Sequence, residues 1–165
     1  MILIGIGSNL PSLAGSPIET CTKALVHLAS LGVMTIARSP WYETAPVPVS
    51  DQPWFANGVA QVATNLAPPA LLDVLQAVEG EFGRVRTVKD AARTLDLDLL
   101  AYNDTISDDP RLTLPHPRIQ ERAFVLFPLR DLAPDWRHPL LGLTATEMAD
   151  RLPPGQQLGR FGGNP

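Results

Sequence analysis

The first two-thirds of the chain alternates between two hydrophobic periods in the order β-α-β-β-α-β, which leaves few folds open to it. Ile2–Ile6 is a short apolar run ending at Gly7-Ser8-Asn9, as a buried strand entering a turn would. Ser16-Pro17-Ile18-Glu19 has the form of a capping box with proline at the first helical position. Behind it Ile18, Cys21, Leu25 and Leu28 lie on one helical face, and Gly32 closes the helix. A strand is expected over residues 33–42, then a loop stiffened by Pro46, Pro48 and Pro53, then a β-like run over residues 57–66. Pro68-Pro69 opens a second helix with Leu71, Leu72, Leu75, Val78 and Phe82 on one face, closed by Gly83. Residues 94–102 form the last strand pattern. This order is the ferredoxin-like split unit, an α+β fold. Its antiparallel sheet is expected to carry two helices on one face and leave the other free for a site.

The remaining third is a less regular extension. Residues 105–113 suit a small hairpin, and Pro117 suits the start of a short helix running to Arg122. Thr144-Ala145-Thr146-Glu147 is a second capping box before a helix near residues 148–152, and residues 155–165 read as a loose, flexible tail. With 165 residues the chain is expected to form one domain over 1–165. The 45% hydrophobic content excludes a disordered chain, and the single Cys21 excludes a disulfide framework or a cysteine zinc site. A net charge of −4 argues against a general nucleic-acid partner. No basic residue precedes Lys23, so the start is unlike a signal peptide. The longest uncharged stretch, residues 52–72, contains Asn, Gln and three Pro and is no membrane span. A cytoplasmic protein with no membrane partner is therefore expected.

The chemistry concentrates in Arg93-Thr94-Leu95-Asp96-Leu97-Asp98-Leu99-Leu100. In a strand, Asp96 and Asp98 share one face while Leu95, Leu97 and Leu99 share the other. Two carboxylates about 6 Å apart repel by roughly 3 kcal/mol at an effective dielectric near 20, so a compensating cation is expected. Oxygen-only ligands suit Mg²⁺, which takes one or two carboxylates together with substrate phosphates. Arg84, Arg86, Lys89 and Arg93 lie just ahead of the pair, in the loop that follows the second helix. Acids for the metal beside cations for phosphate oxygens fit a nucleotide polyphosphate; the plain alternative is ordinary ion pairing. No Walker A loop is present. His116 is pinned between Pro115 and Pro117, with Arg122 and Phe124 following. The stiff loop and its flanks, from Tyr42 to Asn57, offer aromatic faces with Thr and Asn groups, which suits a flat heterocycle rich in hydrogen-bonding edges.

Taken together, these pieces resemble the 6-hydroxymethyl-7,8-dihydropterin pyrophosphokinase family of folate synthesis. The matching segments run in order over nearly the whole chain. They are Ile6-Gly7-Ser8-Asn9-Leu10; Tyr42-Glu43-Thr44-Ala45-Pro46 with Gln52-Pro53, Phe55 and Asn57; and Glu79 with Gly83-Arg84-Val85-Arg86. Arg93-Thr94-Leu95-Asp96-Leu97-Asp98 follows, then Leu114-Pro115-His116-Pro117-Arg118 with Arg122 and Phe124. The resemblance implies a monomeric diphosphokinase that transfers pyrophosphate from ATP to the pterin hydroxymethyl group and releases AMP. It implies that Asp96 and Asp98 hold two Mg²⁺ ions, with Arg84 and Arg93 catalytic and Arg86 nearby on the phosphates. Arg111, Thr113, His116 and Arg122 would complete the ATP site, lined by Gln76, Glu79 and Leu99. Thr44, Val47, Phe55, Asn57 and Phe124 would hold the pterin. Two departures stand out: Lys89-Asp90-Ala91-Ala92 replaces the tryptophan and Gly-Pro often found before the position of Arg93, and Pro11 replaces a common glycine. Two other readings are an RNA-binding module, from a likeness of Arg122–Phe127 to an RNA-stacking strand, and another Mg²⁺-dependent phosphotransferase with a different acceptor.

Overall fold

Local sequence chemistry accounts for where most elements begin. The computed structural model describes residues 1–84, 89–90 and 92–162. Strand β1 spans Ile2–Ser8. Helix α1, Pro17–Ser30, starts at a complete capping box: the Ser16 hydroxyl accepts from the Glu19 amide, and the Glu19 carboxylate accepts from the Ser16 amide. Helix α1 buries Cys21, Ala24, Leu25 and Leu28. The strand expected over 33–42 is two strands, β2 (Met34–Arg38) and β3 (Tyr42–Thr44), both paired with β4 (Phe55–Ala63). The break falls at Pro40, which has no N–H to give the ladder. The Ser39 hydroxyl repairs the gap by accepting from the Val59 amide at 3.0 Å. Helix α2, Pro68–Glu81, follows, and β5 spans Asp96–Tyr102.

The sheet order is β5-β1-β4-β3, with β2 beside β3 along the same edge of β4. Every pairing is antiparallel, in keeping with the ferredoxin-like order. Helices α1 and α2 cover the face that carries Ile2, Ile4, Ile6, Leu97 and Leu99. The expected hairpin is present as β6 (Ser107–Asp109) and β7 (Leu112–Leu114), and a single 3₁₀ turn spans Ile119–Glu121. The second capping box opens α4, Ala145–Asp150.

Three expectations need correction. The second sheet face is not free. Helix α3, Ala123–Leu132, and α4 pack on it through Val125, Leu126, Leu129, Ala145 and Met148 against Leu3, Val59 and Leu100. Residues 122–127, likened to an RNA-stacking strand, instead lead into and build helix α3. A short apolar run buried on several sides carries no period that separates strand from helix. The segment expected as a loose tail contributes β8, Leu158–Arg160, which pairs with β3. Tyr42 donates to the Asp131 carboxylate, and Arg160 holds the same group at 2.7 Å, which ties β3, α3 and β8 together. Among the described residues, no helix is long and apolar enough to cross a membrane.

Candidate active site

Alternation along the strands gathers the polar side chains on the α3-covered face, at the rim where α3 begins. Asp96 and Asp98 share that face with Leu100; Phe55 and Asn57 share it with Val59; Thr44 shares it with Tyr42. The ends of β1 and β3 and the starts of β4 and β5 therefore meet at one edge. The N-terminus of α3 supplies Arg122 and Phe124 from above. Gly7 pairs with Asp96 on one side and Asn57 on the other. A Cβ at Gly7 would lie 2.4 Å from Asn57 Oδ1, so any side chain there would push that amide aside.

A cavity of about 360 Å³ lies over β5. Asp96, Asp98 and Leu99 all line it from that edge strand. Gln76 and Glu79 line it from α2, with Arg84 and Arg93 from the loop that follows. Arg111, Thr113, His116 and Arg122 close the far wall. A second, narrower cleft of about 60 Å³ adjoins it, lined by Thr44, Val47, Phe55, Asn57 and Phe124. Arg93, Asp96 and Arg122 border both, so the two cavities meet at Asp96, with Asp98 on the side of the larger one. Each described residue expected at the nucleotide or heterocycle site lines one of these cavities. Arg86 lies outside the described residues.

The electrostatics follow from crowding. Arg84 pairs with both Glu79 and Asp96, while Arg93 Nη1 donates to Asp96 Oδ2 at 3.0 Å. Burial pulls the Arg84 pKa down, but the neighbouring carboxylates of Asp96 and Glu79 outweigh it and hold it above the usual value. Asp98 sits deeper in the cleft. Burial, then the charge of Asp96, pushes its pKa up to about 7, against the pull of Arg122, Arg84 and Arg93. The two guanidiniums that bind Asp96 thus leave Asp98 under-compensated, and a divalent cation would make up the deficit. The donor set fits Mg²⁺: two carboxylates on one face are too few to fill its octahedron, so the remaining positions need water or phosphate oxygens. Among the described residues, no cluster of three or more His, Cys, Asp or Glu offers a metal cage independent of a ligand.

His116 is held by its amide, which donates to the Leu100 carbonyl at 2.8 Å. Burial, then Arg122, lowers its pKa to about 4, so the ring is neutral at pH 7. Nδ1 accepts from the Arg118 amide at 3.2 Å, which places the proton on Nε2 as a donor. In the narrow cleft, Asn57 Nδ2 donates to Thr44 Oγ1 at 2.7 Å. Arg93 stands 5.7 Å over the Phe55 ring and Arg122 stands 5.4 Å over Phe124. Each guanidinium therefore lies over a face of its aromatic neighbour.

Sequence reasoning assigned no role to Asn9, which is 2% exposed. Its Nδ2 donates to Gln52 Oε1 at 3.1 Å and to the Pro53 carbonyl at 3.0 Å, and its Oδ1 accepts from the Arg93 amide at 2.8 Å. One side chain therefore knits the β1–α1 turn, the proline loop and the approach to β5. Asp90, which also lines the narrow cleft, was not singled out either. The buried Asn after a strand was the available signal for Asn9; its partners are remote in sequence.

Residues 3–134 match the profile of 7,8-dihydro-6-hydroxymethylpterin-pyrophosphokinase (HPPK). The chain is 46% identical over 160 residues to the 2-amino-4-hydroxy-6-hydroxymethyldihydropteridine pyrophosphokinase of Pseudomonas aeruginosa, covering 92% of this chain and 96% of that protein. The protein of the same name from Synechocystis is 38% identical over 151 residues, 91% of this chain and 75% of its own length. The folic acid synthesis protein fol1 of Schizosaccharomyces pombe is 39% identical over 151 residues, 91% of this chain, which spans only 20% of that longer protein. Among solved structures, the wild-type HPPK-DHPS of Plasmodium falciparum superimposes with a TM-score of 0.66 at 14% identity, covering 91% of this chain and 44% of that one; this supports the fold. The chain belongs to the 7,8-dihydro-6-hydroxymethylpterin-pyrophosphokinase family.

Proposed function

We propose that this chain transfers a pyrophosphoryl group from ATP to the hydroxymethyl oxygen of 6-hydroxymethyl-7,8-dihydropterin, releasing AMP, in folate biosynthesis. The observation that carries this reading is the junction of two cavities at Asp96, beside Asp98 of the larger one, the first ringed by cations and the second by aromatic and amide groups. The cationic cavity suits a triphosphate, and the narrow cleft suits the pterin. Phe55 and Phe124 offer faces to the ring, and Asn57 and Thr44 offer hydrogen bonds to its amide edge. Val47 borders the same cleft. The acceptor hydroxyl gives up its proton to solvent as its oxygen bonds to the β-phosphorus, the bond from that phosphorus to the α-bridging oxygen breaks, and AMP leaves with that oxygen.

The chain's own groups hold and orient. Arg84 and Arg93 exchange the Asp96 carboxylate for phosphate oxygens as the nucleotide enters. Neutral His116 donates from Nε2, and Arg122 stands between nucleotide and pterin. Gln76, Glu79, Leu99, Arg111 and Thr113 shape the nucleotide wall, Arg111 after leaving its pairing with Asp73. When bound, two Mg²⁺ ions on Asp96 and Asp98 supply charge neutralisation at the transferred group and polarise the attacking hydroxyl. The two ligands are small molecules.

Product analysis with ATP, Mg²⁺ and hydroxymethyldihydropterin tests this. AMP and the pterin diphosphate in equal amounts, with no turnover in excess EDTA, are expected. ADP as product, or ATP cleavage independent of the pterin, overturns the reading.

A further inference from the structure

The wall that carries Arg122 and Phe124 is the first turn of α3, and that turn has no cap of its own. Arg122 occupies the N-cap position, where Ser, Thr, Asp or Asn would accept from a free amide of the helix. A guanidinium has only donors and cannot do this. The first turn also carries no acidic residue. The Ala123 residue is 3% exposed, so its amide has little access to water. Its partner comes from the far end of the chain: Gln156 Oε1 accepts from the Ala123 amide at 2.9 Å. The same side chain returns a hydrogen bond from Nε2 to the Glu121 carbonyl at 2.9 Å. One amide thus clamps both sides of Arg122.

Gln156 is held in turn. Gly155 precedes it at φ +116°, a conformation that favours glycine and turns the chain toward α3. After it, the Gln157 carbonyl accepts from the Ala45 amide at 3.0 Å, and β8 continues along β3 with Leu158 opposite Thr44. Arg160 then closes the strap on Asp131 of α3. The segment 155–160 therefore touches both walls of the narrow cleft, the Arg122–Phe124 turn and the Thr44–Ala45 strand end.

We infer that Gln156 is a positioning residue for pterin recognition. It satisfies from outside the helix the first amide of α3, that of Ala123, and so sets where Arg122 and Phe124 stand. This rests on the proposed pyrophosphoryl transfer, and it assigns a specificity role to the C-terminal strap. Leaving a buried amide without its partner costs on the order of tenfold in an equilibrium, and the loss should fall on the ligand that Phe124 faces.

The test uses the full chain. Gln156→Leu keeps the volume and removes both hydrogen bonds; Gln156→Glu keeps an acceptor for the Ala123 amide. Kd values for hydroxymethyldihydropterin and for a non-hydrolysable ATP analogue are measured by calorimetry, with amide hydrogen exchange followed at Ala123. Gln156→Leu is expected to weaken pterin binding about tenfold, to change nucleotide affinity by less, and to lose protection at Ala123; Gln156→Glu should recover part of both. Protection lost at Ala123 with pterin affinity unchanged overturns the inference and leaves the proposed function standing. Equal losses for both ligands with lowered Tm overturn it as well, since they mark a purely structural contact. A wild-type chain that binds no pterin overturns the inference and the proposed function together.

Discussion

Removing the charge of Asp98 should stabilise the metal-free protein, by an amount that depends on pH. In an unfolded chain an aspartate titrates near 3.9; in the fold, burial and the nearby Asp96 push Asp98 up to about 7. The raised value means that the protonated form suits the fold. Its contribution is fully present below about pH 4 and is lost as the pH rises towards 7. With each pH unit worth about 1.4 kcal/mol, the ionised carboxylate costs on the order of 4 kcal/mol by pH 8 and less than half of that at pH 5. Asparagine resembles the protonated acid in shape and charge. Asp98→Asn in EDTA should therefore be more stable than wild type by about 2–4 kcal/mol at pH 8, with the gain falling by more than half at pH 5. Urea unfolding of both proteins at the two pH values measures this, provided their m-values agree. A variant less stable at pH 8, or a gain that does not change with pH, would refute the reasoning. Asp98 would then be held by its arginines rather than poised for a cation.

Other outcomes follow from the same geometry. His116 should titrate with a midpoint near 4 by NMR. The stability it lends as a neutral ring is present above about 6.5 and lost as the pH falls towards that midpoint; a midpoint near 6.5 would contradict its burial beside Arg122. Gly7→Ala puts a methyl against Asn57 Oδ1. It should cost about 1–3 kcal/mol in urea unfolding and reduce affinity for hydroxymethyldihydropterin more than for ATP; equal effects on both ligands would mean that Asn57 does not serve the narrow cleft. Cys21 is fully buried, and that burial, then the charge of Asp96, pushes its thiol up to about 12. It should react with a thiol reagent at pH 8 only after denaturation, and rapid labelling of the folded chain would show that α1 opens readily.

Much of this molecule could be read from sequence because its period is regular where its chemistry is. The alternation around Asp96 and Asp98 put both carboxylates on one face, and the Ser16 and Thr144 capping boxes form as expected. Helix α3 was hidden because it buries an apolar run from several sides, with Pro128 inside it. Strand β8 has three residues and no pattern of its own; it exists because Tyr42, Asp131 and Arg160 meet. The clasp at Asn9 joins positions 43 and 84 residues away, which no local pattern announces. Nor could spacing show that Arg84 and Arg93 rest on Asp96, or that Arg93 and Arg122 rest on the aromatic rings.

Asp96 and Asp98 together are expected to grip the cations that travel with the triphosphate. Anomalous diffraction from crystals soaked with Mn²⁺ and a non-hydrolysable ATP analogue tests it most directly. Peaks within roughly 2.0–2.3 Å of oxygens from both carboxylates, each also touching a phosphate oxygen, are predicted. Ordered nucleotide in the larger cavity with manganese absent from both aspartates, and Arg84 and Arg93 still resting on Asp96, would contradict it.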